Sequence, residues 1–183
     1  MIERRHKAGG KISTARYSEC ERYRYDLTRR WSDGPGLTYI MLNPSKATEL
    51  ANDPTIERCE RRAVALGFAA FRVCNLFAWR ETDPAALRRA EHPVGTDNDA
   101  VLMEAARWGD VILCGWGVHG VHLGAGSRVA DLLRSTFELH HLGLTKDGHP
   151  RHPLYVPYRQ RPILWDIPQR DVRLPAQSDR IEQ

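Results

Sequence analysis

Short apolar runs recur along the chain, and each of the first three is followed by at least one stretch typical of a helix. Runs that are apolar almost throughout are typical of strands buried on both faces. Four such strands are predicted, at residues 37–42, 71–74, 111–114 and 137–142. An alternating, aromatic-rich stretch from Arg22 to Trp31 predicts an additional outer strand, which ends at the turn residues 32–36.

Helix-start signals lie between these strands. Asp53-Pro54 and Asp83-Pro84 each place an N-cap aspartate before a proline at the first helical position. Four helices are predicted: 54–66, 84–90, one from the cap Thr96 to about 108, and 127–135. Strands that alternate with helices predict a three-layer α/β/α fold around a mostly parallel four-stranded sheet.

The length of 183 residues fits one domain, residues 1–183, with its packed core at about residues 20–165. The first sixteen or so residues and the polar tail from about residue 168 are expected to be flexible. The chain has no apolar run near the roughly 20 residues of a membrane span, and its start is charged. A cytoplasmic location is therefore expected, with no membrane partner.

The formal charge is +4, and 23 of the 27 cationic residues are arginines because only four are lysines. Arginine binds phosphate oxygens through its planar fork, so this composition permits a nucleic-acid partner. A genome that favours arginine codons explains the same excess. The charge alone does not decide between these explanations.

Cysteine and histidine patterns do not predict a metal centre. The four cysteines are widely spaced without a CxxC pair, and Cys74 and Cys114 lie in apolar runs, which favours buried, reduced thiols. His149 and His152 form an HxxH pair, but the glycine and prolines around them predict an extended loop instead of a helix. Three interpretations of this pair remain open: exposed loop residues, ligands of a metal, or a catalytic imidazole.

A glycine-rich loop follows the third strand and reads GxGxxG from Gly115 to Gly120. That pattern is typical of dinucleotide sites, but Trp116 is bulky for a tight turn and the motif should follow the first strand. A dinucleotide site is therefore not expected. A phosphate bound by backbone N–H groups of the loop from Gly115 to Gly126 stays as an alternative.

Two asparagines follow predicted strands at the edge where ligands bind parallel sheets. Asn43, in the segment Asn43-Pro44-Ser45, follows the first strand, and Asn75 follows the second. A side-chain amide offers an acceptor and two donors, which complement the edge of a nucleobase. Alternatively, each asparagine caps a helix or closes a turn.

Four segments of the sequence, MLNPSKA, NDPTIERC, NLFAWRETDP and LGLTKDGHPRHPLY, carry a family resemblance over about residues 20–165. On them the chain is identified as a member of the family catalogued as domain of unknown function 1643, which brings no established activity. The order of motifs is also similar to the uracil-DNA glycosylase superfamily, a three-layer fold around a four-stranded parallel sheet. LNPS resembles its INPG motif, Asn75 with Asp83-Pro84 resembles its TNVVKCRPP…DP stretch, and His149-Pro150 or His152-Pro153 resembles its HPS loop.

The resemblance implies an N-glycosidase acting on a modified or deaminated base in DNA or a nucleotide. Asn43 would hold the water, Asp53 would be the only nearby candidate to activate it, and His149 would stabilise the departing base unless His152 is the matching imidazole. Substrate contacts would come from Pro44, Ser45, Asn75, Phe77, Trp79, Arg151 and His152. The chain lacks the paired cysteines that hold an iron–sulfur cluster in the thermostable branch, so no cofactor is expected.

Two other functions stay open. Ser45 replaces the last glycine of INPG and no aspartate occupies the water-activating place of the motif, which favours a non-catalytic nucleic-acid or nucleotide binder of the same fold. The other is a small-molecule enzyme that binds a phosphate at the glycine-rich loop.

Overall fold

The computed structural model describes residues 1–167, so the polar tail predicted from about residue 168 lies outside the described residues. The strands are β1 (Ile2–Ala8), β2 (Lys11–Tyr17), β3 (Arg24–Arg30), β4 (Gly36–Met41), β5 (Ala70–Asn75), β6 (Val111–Cys114), β7 (Leu139–His141) and β8 (Ile163–Leu164). The helices are α1 (Pro54–Ala65), α2 (Pro84–Arg89), α3 (Asn98–Trp108) and α4 (Ala125–Arg134), with short 3-10 segments at Val118–Gly124 and Pro153–Tyr155. The strands form one sheet in the order β1-β2-β3-β5-β4-β6-β7-β8.

The sheet is larger and more antiparallel than predicted. Among residues 1–167, its antiparallel pairings are β1–β2, β2–β3, β3–β5 and β7–β8, whereas β4–β5, β4–β6 and β6–β7 are parallel. The prediction of a mostly parallel four-stranded sheet is therefore wrong, while the mixed α/β class is confirmed. The four predicted apolar runs form β4 to β7, which are adjacent and parallel to one another. The additional strands lack continuous apolar runs, which is why the pattern missed most of them.

The first seventeen residues are ordered as a β-hairpin, which corrects the prediction of a flexible start. β1 and β2 pair from Ile2 with Tyr17 through to Ala8 with Lys11. Their two-residue turn is Gly9-Gly10, and both glycines have positive φ, as a tight hairpin turn with the twist of its strands requires. This hairpin places β3 between β2 and β5, so β3 is an interior strand and not the predicted outer one.

The helix-start signals are confirmed at two positions. Asp53 caps α1 and Asp83 caps α2, each with a proline at the start of the helix. α3 begins after Asp97, one residue beyond the predicted cap Thr96, and α4 begins two residues before Ser127. None of the helices within the described residues has the length and apolarity needed to cross a membrane.

Helices cover both faces of the sheet. On one face α1 packs against inward side chains of β4 and β5, including Tyr39 and Val73. On the other face α2, α3 and α4 pack against side chains such as Ile40 and Cys114. Cys74 and Cys114 are buried and free, as predicted. The core therefore lies in two layers, and the loops between strands and helices are left at the two edges of the sheet.

One of these edges collects the loops that follow the parallel strands. Hydrogen bonds continue between neighbouring strands at this edge: Leu76 N–H donates to Met41 O at 2.9 Å, and Phe77 N–H donates to Leu42 O at 3.0 Å. Gly117 N–H donates to Pro150 O at 2.8 Å, which joins the loop after β6 to the loop after β7. The sequence-predicted site residues lie in these loops, except Asn75, which is the last residue of β5.

Candidate functional site

Asn43 ties the loop after β4 to the loop after β5. Its Nδ2 donates to the carbonyl oxygens of Glu81, at 2.6 Å, and Pro44, at 3.1 Å. The Pro44 carbonyl also accepts from Glu81 N–H at 3.0 Å. Two carbonyl acceptors fix which end of the amide carries nitrogen, so Oδ1 is left as the acceptor that Asn43 can offer to a water or a ligand.

Asp53 closes the loop that begins at Asn43. Its Oδ1 accepts from Ile56 N–H at 2.9 Å, which caps α1, and its Oδ2 accepts from Ala47 N–H at 3.2 Å. Both carboxylate oxygens are therefore held by the backbone. A carboxylate has lone pairs left after two such bonds, so Asp53 can still act on a neighbouring group through its charge.

A buried arginine, Arg24, lies behind this loop and was not predicted from the sequence. It is only 1% exposed, and its Nη1 donates to the carbonyl oxygen of Ala47. Burial lowers the pKa of Arg24 to about 10, and the charges of Tyr17 and Asp53 partly oppose that shift. Its Nε has no hydrogen-bond partner within residues 1–167. The sequence shows an alternating strand here, which gives no signal that an arginine in it is buried.

Asn75 ends β5 with a buried amide. The residue is 1% exposed, and its Nδ2 has no partner within the described residues. Asn75 pairs in register with Met41 and shares the face of Val73, two positions before it, so the amide faces the α1 side of the sheet. An unsatisfied buried donor of this kind costs about 1–3 kcal/mol, and a ligand acceptor would remove that cost.

The two aromatic candidates lie in different surroundings. Phe77 is fully buried, with its ring 5.4 Å from the ring of His122. Trp79 is half-buried, and its ring meets the Tyr23 ring edge-on with the two ring centroids 5.3 Å apart. The Arg22 guanidinium carbon lies 5.5 Å from the centroid of the Trp79 ring. Only Trp79 of this pair lines an open cavity.

That cavity, which we call the Ser45–Trp79 cavity, has a volume of about 510 Å³. Besides Ser45 and Trp79 it is lined by Glu21, Arg22, Lys46, Arg80, Glu81 and Thr82. Three cations, two carboxylates and two hydroxyls therefore surround one indole. The structure thus brings two predicted substrate residues together, and Asn43 reaches the same wall through its bond to Glu81.

His152 is held in the loop after β7 as a neutral imidazole. Its Nδ1 accepts from the backbone N–H of Leu154 at 3.3 Å, at the start of the second 3-10 segment. Burial lowers the pKa of His152 to about 4, against a smaller opposite effect from Asp53. A neutral ring whose Nδ1 accepts carries its proton on Nε2, so His152 presents one N–H donor.

α1 anchors the segment that carries His152. Arg58 donates from Nε to Pro153 O at 3.1 Å and from Nη2 to Val156 O at 2.8 Å. Because Asp53 caps the first turn of the same helix, these bonds hold the loop after β7 close to the loop after β4. His152 and Asp53 are therefore neighbours, and the charge of Asp53 acts on the His152 ring.

His149 and Arg151 have surroundings different from those of His152. His149 lines a small cavity of about 170 Å³ with Trp116 and Trp165, and this cavity is not lined by Asn43 or Asn75. Arg151 is exposed, and its Nε donates to Leu144 O at 3.0 Å within its own loop.

The glycine-rich loop has a packing explanation. A Cβ added at Gly120 would lie 2.1 Å from Cδ1 of Trp116, and one at Gly126 would lie 2.8 Å from its Nε1. A Cβ at Gly115 would lie 2.7 Å from Pro153. Trp116 is itself only 2% exposed. The glycines therefore make room for a buried tryptophan, and this need not involve a phosphate.

Metal-ligand side chains do not cluster in the described part of the chain. Within residues 1–167 no group of three or more histidine, cysteine, aspartate or glutamate side chains is placed to hold a metal ion. His149 and His152, the two members of the HxxH pair, have different surroundings: His149 lines a cavity with Trp116, whereas Nδ1 of His152 accepts from the backbone.

Comparison with known proteins gives one match. Residues 24–154, well over half of the chain, match the family described as protein of unknown function DUF1643. The curated proteins and the solved structures contain no significant match to the chain.

Proposed function

Since the chain belongs to the DUF1643 family, whose description carries no activity, we propose a function from the site itself: a hydrolase that cleaves the N-glycosidic bond of a modified or deaminated base in DNA or a nucleotide. The observation that carries the proposal is His152, a neutral imidazole with Nδ1 occupied by a backbone N–H and Nε2–H left as a donor. The catalytic imidazole is then His152, and His149 is the alternative.

Cleavage of this bond places negative charge on the departing base. A fixed donor aimed at the base oxygen stabilises that charge, and removing one such donor typically raises a barrier by about 3 kcal/mol. His152 meets the requirement for such a donor because the Leu154 N–H fixes the ring and its tautomer. Its low pKa keeps the ring neutral at physiological pH.

Asn43 would position the attacking water. Its nitrogen is committed to Glu81 and Pro44, so Oδ1 would accept a hydrogen bond from the water. The carboxylate of Asp53, held by the backbone at the same edge, would favour positive charge on the oxocarbenium-like sugar.

Two parts of the protein would recognise the substrate. The unpartnered Nδ2 of Asn75 would donate to an acceptor on the base edge. The Ser45–Trp79 cavity would take the neighbouring nucleotide, with Trp79 against a base and Lys46 and Arg80 against phosphate oxygens. An enzyme that works on duplex DNA must extrude the base first, which costs a few kcal/mol, and these contacts would offset that cost.

The proposal extends to a uracil-DNA glycosylase-like fold. The adjacent parallel strands β5-β4-β6-β7, with helices on both faces, support it. The antiparallel strands β1 to β3 and β8 would then be additions to that unit.

A base-release assay tests the function. The protein is incubated with oligonucleotides and free nucleosides that carry uracil, hypoxanthine or hydroxymethyluracil, and released base is measured by chromatography. Release from at least one substrate is expected. If no base is released from any of them, hydrolysis is the wrong function.

A non-catalytic nucleic-acid or nucleotide binder is the second candidate. It is favoured by the backbone bonds to both oxygens of Asp53, because a carboxylate held in this way is not dedicated to water activation. This candidate predicts binding of the same oligonucleotides without base release, whereas the hydrolase predicts both.

A further inference from the structure

A second polar cavity lies on the α3 face of the sheet, beyond the end of α3. Strands β1, β2, β3 and β5 and the last residue of α3, Trp108, all contribute to it. We call it the Trp108 cavity; its volume is about 260 Å³, and its polar lining includes Arg5, Thr14, Thr28, Arg30 and Arg72 beside the Trp108 ring.

The cavity is at the opposite edge of the sheet from Asn43 and His152. A Cβ added at Gly36, the first residue of β4, would lie 2.8 Å from Cη2 of Trp108. The Trp108 ring therefore sits at the amino end of β4, whereas the candidate functional site is at its carboxyl end. The inference below does not rest on the proposed function.

Strand register sets four of the lining side chains in one row. Arg5 pairs with Thr14, Thr14 pairs with Thr28, and Thr28 pairs with Arg72. Side chains opposite each other on neighbouring strands lie on the same face, so two guanidinium groups flank two hydroxyls across four strands. This is a set of hydrogen-bond donors that faces one small volume.

The arginines that line the cavity differ in whether a carboxylate is paired with them. Arg72 donates from Nη1 to Glu104 at 3.0 Å and is 3.8 Å from Asp26. Arg5 and Arg30 form no ion pair within residues 1–167. One carboxylate, Glu3, lines the cavity. Because Arg72 is already paired with Glu104, the excess charge comes from Arg5 and Arg30, which outnumber this one lining carboxylate and favour an anion.

Two buried atoms of the row lack hydrogen-bond partners within the described residues. They are Oγ1 of Thr28 and Nε of Arg72, whose nearest carboxylate is beyond hydrogen-bond length. Trp108 holds the cations in place, with the guanidinium of Arg72 4.8 Å and that of Arg30 6.0 Å from its ring. Once neighbouring side chains move aside to admit it, an anion would supply acceptors for both of these atoms.

We propose that the Trp108 cavity binds a phosphate group. Arginine forks and hydroxyl donors match the oxygens of a phosphate, and the volume of about 260 Å³ leaves room for a small ester beside it. The phosphate comes either from a free phosphorylated compound or from a nucleic-acid backbone.

Titration calorimetry of the full chain with pyrophosphate and with a nucleoside 5′-monophosphate tests the site. Arg30→Gln should weaken binding by about tenfold or more, because a charged hydrogen bond is lost. Thr28→Val should weaken it several-fold while leaving the thermal midpoint of the ligand-free protein unchanged or raised, because the hydroxyl it removes has no partner. Arg61→Gln, at an exposed arginine of α1, is the matched control and should bind like the natural protein.

A single-stranded oligonucleotide without terminal phosphates provides the other arm. If only the oligonucleotide binds, and Arg30→Gln and Thr28→Val weaken it while Arg61→Gln does not, the site takes backbone phosphates. Binding of neither class overturns the proposal, as does binding that Arg30→Gln and Arg61→Gln change equally.

Discussion

The backbone N–H of Leu154 donates to Nδ1 of His152 over 3.3 Å, at the turn where Pro153 starts a 3-10 segment. This bond decides which ring nitrogen keeps a proton. Burial lowers the pKa of His152 to about 4, because it withdraws the ring from water and the charge of Asp53 opposes the shift only in part.

Stability should depend on the protonation of His152. The folded pKa of about 4 lies below the value of about 6.5 for an exposed imidazole, so between these pH values the unfolded chain binds a proton that the folded protein does not. The stabilisation is complete above about pH 6.5 and is lost as the pH falls toward 4. Between pH 7 and pH 5 this residue should lower the free energy of unfolding by about 2 kcal/mol, measured by urea unfolding.

The variant His152→Asn is the comparison for that measurement. It should lose less stability between pH 7 and pH 5 than the natural protein does. Some pH dependence should persist in the variant because burial also lowers the pKa of His141. The same loss in both proteins would show that the His152 ring titrates as an exposed one.

Lys46 should contribute one phosphate contact in the Ser45–Trp79 cavity. If it does, Lys46→Gln should weaken oligonucleotide binding and reduce the slope of log K against log salt by about 1. Fluorescence anisotropy at several salt concentrations measures this slope. Arg61→Gln, on the exposed face of α1, should leave the slope unchanged, and an unchanged slope in Lys46→Gln would exclude that contact.

Gly126→Ala should destabilise the protein although alanine is the better helix former. The new Cβ would meet Nε1 of buried Trp116 at 2.8 Å and the carbonyl oxygen of Gly120 at 3.0 Å. Overpacking of this kind typically costs about 1–3 kcal/mol, which exceeds the gain in helix propensity. The neighbouring substitution Ser127→Ala, at an exposed position, should be neutral or slightly stabilising in the same thermal unfolding experiment.

Asn75→Leu should separate stability from recognition. Nδ2 of Asn75 is buried without a partner in the described part of the chain, so replacing the amide by an apolar group of similar size should leave the free energy of unfolding nearly unchanged. Discrimination between bases should fall in the same variant, as measured by competition among nucleosides. A large loss of stability would mean that the amide has a structural role.

Local signals allowed parts of this fold and site to be predicted. Asp53 and Asp83 were identified as caps because each precedes a proline and because a cap involves residues next to each other in the chain. The bond from Asn43 to Glu81 joins residues 38 positions apart, so its existence depends on how two loops meet. The sequence identified Asn43 as a site candidate but did not indicate this partner.

Other features depend on packing that the pattern does not record. Arg24 is buried because the β1–β2 hairpin makes β3 an interior strand, and a hairpin strand with charges on both faces resembles a flexible segment. The difference between His149 and His152 depends on which of them precedes the 3-10 turn. The spacing of the glycines from Gly115 onward reflects the position of the Trp116 ring.

The central claim is that His152 donates to a departing base, and single-turnover base release by His152→Ala and His149→Ala tests it most directly. On the substrate that the natural protein cleaves fastest, His152→Ala should lower the rate of base release by at least about 100-fold, because one preorganised donor is lost. His149→Ala should remain close to the natural rate, and both variants should stay folded at pH 7 by circular dichroism. Equal rates in His152→Ala and the natural protein, or a large loss in His149→Ala alone, would contradict the claim.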